Sequence, residues 1–529
     1  MNQEDNNSGN KRIVKNTAVL YARMIVMMAI SFFTTRLTLS ALGVTDYGVN
    51  NVVGGLVSLF SLLSNSLSTA TGRFLTFGLG EGDMEKLKKT FSMSVNIHIV
   101  LALIVVVAIE TIGVWFLDHK MTIPADRLTA AHWVLQCSVV AFAVGLFSVP
   151  YNAAIIAHEK MSAFAYMTIF DAISRLLIVF GIYYYGGDRL ILFAILTLIQ
   201  SLIRQAIYQT YCRRKFEECT YRWGWDARLG KSMFSFAGWN FIGCTAGLMK
   251  DQGVNIVINL FSGPAVNAAR GIAMQVNGII GQFIGSFTMA LNPQIIKDYA
   301  AGELEQMHKL VFWGTRLSYY LFMFLSIPIF FEIEKILQIW LGQVPEHTVL
   351  FARLVLVLSL AEIISNTLIT AQVATGDIRN YQIVVGGILL LNLPVSYLLL
   401  RVGMIPETTV AVAIVISQFC LVARLWFLRS MIKLSARRFL RTVYFNVLGV
   451  TSIAVLPPMI CYCTMSPDYI RLFVLCTVSC ISSGIAIYYI GCNREERLLV
   501  RYYVGILRNK IRNNHNSDFK IDDPDSRQT

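Results

Sequence analysis

About fourteen long apolar runs follow one another along this chain of 529 residues, separated by short polar connections. A bilayer core of about 30 Å requires about 20 apolar residues in a helix, and each run approaches or exceeds that length. Only 15% of the residues are charged, against about 25% in soluble domains. We therefore predict an all-α polytopic membrane protein. The predicted spans are 16–42, 49–72, 90–117, 128–157, 162–185, 189–212, 233–262, 270–294, 308–331, 348–374, 380–401, 408–430, 442–463 and 469–492.

Lysine and arginine concentrate in every second connection, as in "KRIVK", "EGDMEKLKK", "CRRKFEECTYRWGWDARLGK" and "SARRFLR". The alternate connections, such as "LGVTDYG", "DHKMTIPADR" and "YGGDR", carry far fewer positive charges. Cytoplasmic loops are enriched in these residues, so both termini are predicted to be cytoplasmic. Most of the net charge of +13 belongs to this bias, and no nucleic-acid partner is predicted. Specific binding of RNA or anionic lipid by the basic loops stays open.

A weak internal repeat appears when the chain is shifted on itself by about 220 residues. Gly43 then falls on Gly263, and Gly82 falls on Gly302. Six spans separate the partners, so both halves have the same orientation, and parallel repeats of this kind occur in transporters. The predicted organisation is a cytoplasmic tail at 1–14, an N-terminal lobe of six spans at 15–212, a cytoplasmic linker at 213–231, a C-terminal lobe of six spans at 232–432, two further spans at 441–492 and a basic cytoplasmic tail at 493–529.

Several ionisable residues within the spans have simple interpretations. Arg204, Arg316, Arg353 and Arg424 are near span ends, where their side chains reach the headgroups. Asp171 and Arg175 are four residues apart and are expected to pair on one helix face; a role in ion coupling stays open. Glu362 and Asp251 are left between protonation, pairing across helices and ion coupling.

Other polar residues predict a hydrated interior. A charged side chain within a span costs at least about 2.5–3.5 kcal/mol on insertion scales, and Lys250 and Asp251, being adjacent, point about 100° apart on a helix. Unpaired cations favour an anionic group such as phosphate or pyrophosphate. Hydrogen bonding between helices stays open for the amides, and Arg23 and Arg36 would point about 140° apart on a straight helix. The predicted substrate-binding residues are Arg270, Arg36, Lys250, Arg23, Arg73, Asn65, Gln275 and Asn277.

Four stretches resemble the polysaccharide-transporter, or O-antigen flippase, family of the multidrug/oligosaccharidyl-lipid/polysaccharide exporter superfamily. They are "LSALGVTDYGVNNVVGG", "GPAVNAARGIAMQVNGIIGQFIGSF", "ALNPQIIKDYAAGELEQMHKL" and "ILQIWLGQVPE". The resemblance implies two six-helix lobes around a central cavity, plus two extra helices. It also implies alternating access that moves undecaprenyl-pyrophosphate-linked oligosaccharide across the bacterial inner membrane, with a polymerase and glycosyltransferases as pathway partners. The "AAR" stretch places Arg270 at an arginine of the related lipid II flippases.

Two other functions are weighed against this one. A multidrug exporter of the same superfamily would be expected to have twelve spans and acidic cavity residues. A membrane polysaccharide polymerase or glycosyltransferase would need a large extramembrane loop or a carboxylate motif, and every outer connection is short. The sequence contains no GxxxxGKS, HExxH or nucleophile-elbow motif and no CxxC metal spacing among its ten cysteines. We therefore predict no enzymatic activity, no cofactor and no metal.

Overall fold

A computed structural model describes residues 3–58, 60–121, 123–494, 496–498 and 501. Within these residues all regular structure is helical, as predicted, and the first half of the chain contains seven long helices and one short one. The predicted tail at 1–14 is helical from Gln3, and most of the predicted tail at 493–529 lies outside the described residues. The helices are α1 (Gln3–Ser58), α2 (Ser61–Glu81), α3 (Met84–Ala108), α4 (Val114–His119), α5 (Leu128–Ala157), α6 (Met161–Tyr183), α7 (Arg189–Lys215) and α8 (Ala227–Leu248).

The second half continues with longer and more broken helices. A π-helical turn at Met249–Gly253 connects α8 to α9, and another at Ile109–Gly113 connects α3 to α4. The remaining helices are α9 (Val254–Ala300), α10 (Leu304–Leu341), α11 (Thr348–Ile363), α12 (Asn366–Thr375), α13 (Arg379–Leu390), α14 (Asn392–Arg401), α15 (Thr408–Ile432), α16 (Ala436–Phe439), α17 (Phe445–Thr464) and α18 (Tyr469–Ala486).

The described helices match the predicted spans closely. Ten are long and apolar enough to cross a membrane, and the bent pair Thr45–Ser58 and Ser61–Glu81 makes an eleventh. The other three predicted spans, 233–262, 270–294 and 308–331, are also helical. Aspartates begin several helices: the Asp188 and Asp226 carboxylates accept hydrogen bonds from the first backbone N–H groups of α7 and α8, which would otherwise be unpaired.

Backbone geometry repeats at the predicted offset of 220 residues. Gly43 interrupts α1 with φ 78° and ψ 169°, and Gly263 interrupts α9 with φ 79° and ψ 179°. Gly82 and Gly302 both follow a helix end with φ near 78°. Residues with a side chain rarely adopt positive φ, so these glycines are required at the same two points of each half. The predicted repeat is confirmed.

The loops that carry few basic residues contact one another at one end of each lobe. In the N-terminal lobe, Arg127 donates to Asp46 (Nε to Oδ1, 2.7 Å) and to Asp188 (Nη1 to Oδ2, 2.8 Å). In the C-terminal lobe, His347 Nδ1 lies 2.6 Å from Glu407 Oε1. These residues come from five different loops that the charge pattern assigns to one face. We call this the outer side and the opposite one the basic side.

The chain divides into two compact units. The first is Met1–Ser318 with Pro345–Ala436 and contains the predicted N-terminal lobe and the predicted C-terminal lobe apart from residues 319–344; within it α5 packs against α2, α3 and α7, while α9 packs against α11, α12 and α14. The second is Tyr319–Val344 with the described residues from Arg437 onward. In this second unit α17 packs along α18, and Arg471 forms a bidentate ion pair with the buried Glu332 (2.6 and 3.2 Å).

Within the first unit, the two lobes meet at the basic side. Lys297 Nζ of α9 lies 2.6 Å from Glu159 Oε1, which follows α5. Phe77 of α2 contacts the Tyr299 ring, and a Cβ at Gly80 would lie only 2.7 Å from the Ala300 Cβ. Among the described residues, hydrogen bonds, ion pairs and ring contacts join α1–α7 to α8–α15. All of them lie in the half of the helices that is nearer the basic side.

Candidate functional site

The helices at the periphery of the protein expose apolar faces. Such a face suits lipid, because hydrocarbon cannot satisfy polar groups. Exposed residues of this kind are Leu103, Ile104 and Val107 on α3, Ile173 and Leu177 on α6, Ile199, Leu202 and Ile203 on α7, and Val415, Phe419 and Val422 on α15.

Predicted spans 1, 2, 7 and 8 expose polar side chains instead, in pairs at helical spacing. We call this set the polar stripe. Gly271, Gly278 and Gly285 are also exposed on the α9 face. Lipid-facing surfaces rarely carry such rows, whereas water-filled cavities do. The stripe consists of Arg36 and Ser40 on α1, Asn65 and Thr69 on α2, Gln252 and Asn259 on span 7, and Gln275 and Gln282 on α9.

The polar stripe ends where the lobes meet. On α2, Asn65 and Thr69 are exposed, but Thr71, Arg73 and Thr76 beyond them are buried. Because such a face of hydroxyl, amide and guanidinium groups suits water and not lipid, we infer that it lines a hydrated cleft that opens toward the outer side. Arg36 is exposed on the stripe and has no hydrogen-bond or ion-pair partner among the described residues.

Arg73 connects the lobes and does not line the cleft. Its guanidinium is stacked near the Phe74 and Phe77 rings, at 4.7 and 4.5 Å from their centroids. Its Nη2 donates to the Ala374 carbonyl at 3.0 Å. A Cβ at Gly376, whose φ is +79°, would lie 2.6 Å from the same nitrogen, so this glycine makes room for the arginine.

Lys250 is ion-paired, and the expectation of an unpaired cation at this position is wrong. Its Nζ lies 2.5 Å from Glu362 Oε1 on α11 and 3.6 Å from Asp251 Oδ1. The wider π-helical turn at Met249–Gly253 holds Lys250 and Asp251. Sequence spacing did not predict this pair because the partner lies 112 residues away on another helix.

Arg270 lies beside this pair with 6% of its surface exposed. Its Nη1 donates to the Asn255 side-chain oxygen and to the Asp251 carbonyl (3.3 Å). Lys250, Glu362, Arg270 and Asp251 line one cavity of about 50 Å³, and Asn277, Ser359, Asn392 and Thr409 also line it. Two cations and two carboxylates make this C-lobe cluster neutral overall.

The N-terminal lobe holds a different arrangement. Asp171 accepts from Gln200 Nε2 (3.0 Å) and pairs with Arg204 Nη1 (3.5 Å), both on α7. The predicted pair with Arg175 is therefore not formed among the described residues, and Arg175 is exposed. Arg23 donates from Nε to the Thr168 hydroxyl (2.8 Å) and lies over the Phe164 ring.

The snorkelling interpretation also fails at three positions. Arg316 is buried, with 7% of its surface exposed. Arg204 pairs with Asp171 as above, and Arg424 is buried, with its Nε donating to the Tyr381 hydroxyl at 2.9 Å. Arg204 and Arg424 point into the helix packing because a partner on a neighbouring helix satisfies them, which spacing along one helix does not show.

The predicted substrate-binding residues thus fall into three places. Arg36, Asn65 and Gln275 belong to the polar stripe; Lys250, Arg270 and Asn277 belong to the C-lobe cluster; Arg23 and Arg73 are held in helix contacts. Gln252, Asn259 and Asn255 were not predicted from the sequence. Gln252 and Asn259 are seven residues apart, like Gln275 and Gln282, and this spacing could have identified them. Among the described residues no group of three or more His, Cys, Asp or Glu side chains is placed to hold a metal ion.

Outside the spans, the outer clasp of Arg127, Asp46 and Asp188 shows one clear electrostatic effect. Partial burial raises the pKa of Asp188, but hydrogen bonds from Arg127 and from the Ile191 and Leu190 N–H groups outweigh it, so the pKa lies below its usual value. The carboxylate is therefore charged at every physiological pH.

Comparison with known proteins gives a distant relative and a clear fold. No family model matches the chain. An uncharacterized membrane protein, EpsK, of Bacillus subtilis (strain 168) is 17% identical over 319 residues, which is 60% of this chain. The match spans 63% of the length of that relative.

Solved structures of MATE proteins superpose on most of the chain. A MATE protein in the bent conformation gives a TM-score of 0.68 at 11% identity, covering 80% of this chain and 96% of the other. An outward-facing multidrug resistance MATE family transporter of the MOP superfamily gives 0.64 at 13% identity, covering 80% and 96%. The MATE transporter ClbM in complex with Rb⁺ gives 0.64 at 15%, covering 81% and 96%. This chain is a multi-pass membrane protein whose fold is that of the MATE transporters.

Proposed function

We propose that this chain is a flippase that moves undecaprenyl-pyrophosphate-linked oligosaccharide repeat units from the cytoplasmic to the outer leaflet by alternating access. The polar stripe is the observation that carries the proposal. It supplies hydroxyl and amide groups along a cleft between the lobes, which suits the hydroxyls of a glycan. Its one charged residue, Arg36, is a cation suited to bidentate binding of a pyrophosphate.

The number of predicted spans also supports this proposal. The solved structures are covered almost completely, yet about a fifth of this chain lies outside each match. The second unit contains α17 and α18, which correspond to the predicted spans 13 and 14. The resemblance to O-antigen flippases implies two such extra helices, whereas a multidrug exporter would be expected to have twelve spans.

Alternating access would require the lobe contacts at the basic side to separate. The Lys297–Glu159 ion pair and the hydrogen bond from Arg73 to the Ala374 carbonyl close that side in this conformation. Breaking them while closing the outer side would expose the polar stripe, and Arg36 with it, to the cytoplasmic leaflet. The lipid tail would remain in the bilayer while the headgroup crosses along the stripe.

A multidrug exporter is the second candidate, because the fold is shared with a multidrug resistance transporter. Export of cationic drugs would be favoured by carboxylates in the cleft. In this chain the carboxylates nearest the cleft, Asp251 and Glu362, contact Lys250. The polar stripe itself carries a positive charge, which repels a cation.

Deleting the gene distinguishes the two functions. For a flippase, lipid-linked repeat units accumulate on the cytoplasmic face, where periodate, an impermeant oxidant of sugar diols, reaches them only after spheroplasts are lysed. In wild-type cells a fraction is oxidised in intact spheroplasts. Unchanged oxidation in the deletion strain, with increased sensitivity to cationic drugs, would establish the exporter instead.

Single substitutions then test the role of Arg36. Arg36→Ala should reduce glycan export at least about tenfold, since a hydrogen bond to a charged group contributes about 1.5–3 kcal/mol, and Arg36→Lys should retain part of it. Arg401→Ala is the matched control, because Arg401 is exposed at the outer end of α14 and lies outside the polar stripe. Normal export by Arg36→Ala would remove this residue from the pathway.

A further inference from the structure

A second polar cavity lies inside the N-terminal lobe, apart from the polar stripe. Its volume is about 240 Å³, and we call it the outer N-lobe pocket. Its walls come from α1 on both sides of the Gly43 break and from α6. Tyr47, Asn50, Asn51, Asp171 and Arg175 line it together with four hydroxyl side chains of α1. The loop that follows Gly43 places the pocket toward the outer side.

Much of the hydrogen-bonding capacity in this pocket is unused. The Asn50 and Asn51 amides, the Tyr47 hydroxyl and the Arg175 guanidinium have no hydrogen-bond partner among the described residues. Thr34 and Thr38 donate their hydroxyls to carbonyls of their own helix, which leaves the oxygen lone pairs as acceptors. Tyr47 and Asn50 are half-buried, and Asn51 and Arg175 are exposed, so their polar groups are accessible to a ligand rich in donors and acceptors.

The charges in the pocket suit a ligand that both donates and accepts hydrogen bonds. Asp171 is held in place by Gln200 and Arg204 from behind, and it lines the same cavity as Arg175. A sugar hydroxyl donates to a carboxylate and accepts from a guanidinium, which a simple anion or cation does not do. The cavity also has an apolar wall that includes Met27, Ile30 and Phe193, against which the C–H face of a sugar ring packs.

We propose that the outer N-lobe pocket binds one sugar residue of the transported glycan. This inference rests on the proposed function, and it assigns the glycan and the pyrophosphate to different places: the sugar to this pocket and the diphosphate to Arg36 on the polar stripe. The hydroxyls and amides recognise the sugar ring, and Asp171 and Arg175 fix its orientation. The binding free energy of such a site comes mainly from hydrogen bonds, so its affinity for a free monosaccharide is weak.

Saturation-transfer NMR on the full chain in nanodiscs suits a weak ligand. The probes are a panel of neutral hexoses and N-acetylhexosamines, and inorganic pyrophosphate, the contrasting anion, is followed by the broadening of its ³¹P resonance. At least one sugar should receive saturation. The double substitution Asn50→Ala/Asn51→Ala should weaken its binding about tenfold, the effect of losing about two hydrogen bonds. Pyrophosphate binding should be unchanged.

Two further variants keep the result interpretable. Arg175→Gln removes a charge from the pocket but keeps a side chain of similar size, and it should also weaken sugar binding. Gln136→Ala changes an exposed amide on α5 outside the pocket and should leave sugar binding unchanged. Thermal unfolding checks that each variant is folded. If the substitution in the double variant prevents folding, Arg175→Gln alone decides. The proposal is overturned if no sugar in the panel binds, or if the folded pocket variants bind it as the wild type does.

The test of the outer N-lobe pocket and the test of the flippase function can give different results. Sugar binding lost in the pocket variants, together with no stranded repeat units in the deletion strain, would retain the pocket and reject the flippase. Stranded repeat units together with undiminished sugar binding in the variants would retain the flippase and reject this pocket.

Discussion

The two lobes share their backbone breaks but not their charges. Gly43 and Gly263 adopt the same rare conformation at the same point of each half. Yet Asp171 and Arg204 of the N-terminal lobe are about one-third exposed and lie 3.5 Å apart, whereas Lys250 and Glu362 of the C-terminal lobe are in contact at 2.5 Å. The repeat therefore constrains where the chain turns, while the interior chemistry of each lobe has diverged.

The same contrast is present at the outer clasps. Arg127 joins Asp46 and Asp188 in one lobe, and His347, which is 220 residues further along the chain, joins Glu407 in the other. Arginine is always charged, whereas histidine is charged only when protonated. The first clasp joins one cation to two carboxylates, and the second joins one imidazole to one carboxylate.

The largest effect is expected from Glu362→Gln. It leaves the Lys250 ammonium buried with only Asp251 at 3.6 Å. Breaking a fully buried pair costs about 3–5 kcal/mol, and because Glu362 is 40% exposed we expect about 2–3 kcal/mol. Thermal unfolding of the purified protein measures it.

A double substitution sharpens this result. Lys250→Met with Glu362→Met removes both charges and should recover most of the lost stability. Asp171→Asn in the N-terminal lobe is the matched comparison and should cost less, because its partner is further away. An equal loss of stability for Glu362→Gln and Asp171→Asn would refute the difference in charge pairing between the two lobes.

Gly43→Ala and Gly263→Ala should each cost about 1–3 kcal/mol, because their φ and ψ values lie in a region occupied almost only by glycine. Gly54→Ala is the control: no heavy atom lies within 4 Å of its Cβ position, and its φ is not positive. Unfolding temperatures should fall by similar amounts for the first two. A large effect at one break and none at the other would show that the repeat does not determine the backbone.

The smallest effect is expected at the outer clasps. Asp188→Asn should lower stability by about 1 kcal/mol at pH 7, since the pair is partly exposed. The lowered pKa of Asp188 means that this contribution is complete above about pH 4 and is lost as the pH falls through the folded-state value. The difference from wild type should therefore be constant between pH 6 and 8.

His347→Asn provides the contrasting variant, because asparagine tolerates the positive φ at this position. It removes the contact between His347 Nδ1 and the buried Glu407 carboxylate, so it should lower stability by about 1 kcal/mol, which thermal unfolding at pH 7 measures. Unchanged stability would contradict the role of this contact in joining the two outer loops.

The positions of the spans and the repeat could be read from the sequence because each depends on local composition. About 20 apolar residues make a span whatever surrounds them, and Gly43 and Gly263 could be aligned because positive φ requires glycine. Arg36, Asn65 and Gln275 were predicted as substrate-binding residues, and all three are exposed; their role stays a prediction.

The partners of buried charges could not be read in this way. Lys250 and Glu362 are 112 residues apart. Asp171 pairs with Arg204, although Arg175 is closer along the sequence. The partner of an ionic side chain depends on which helices pack together and on how each helix is rotated about its axis. The spacing of residues along one helix shows neither.

The sequence by itself determined a multi-span helical protein with two parallel halves and polar rows inside the membrane, because hydrophobicity, charge bias and glycine act locally. The tertiary structure alone decided which cations are neutralised, which join the lobes and which remain exposed in the cleft. The reason is physical: a charge removed from water takes the nearest available partner in space, and distance in space is set by helix packing.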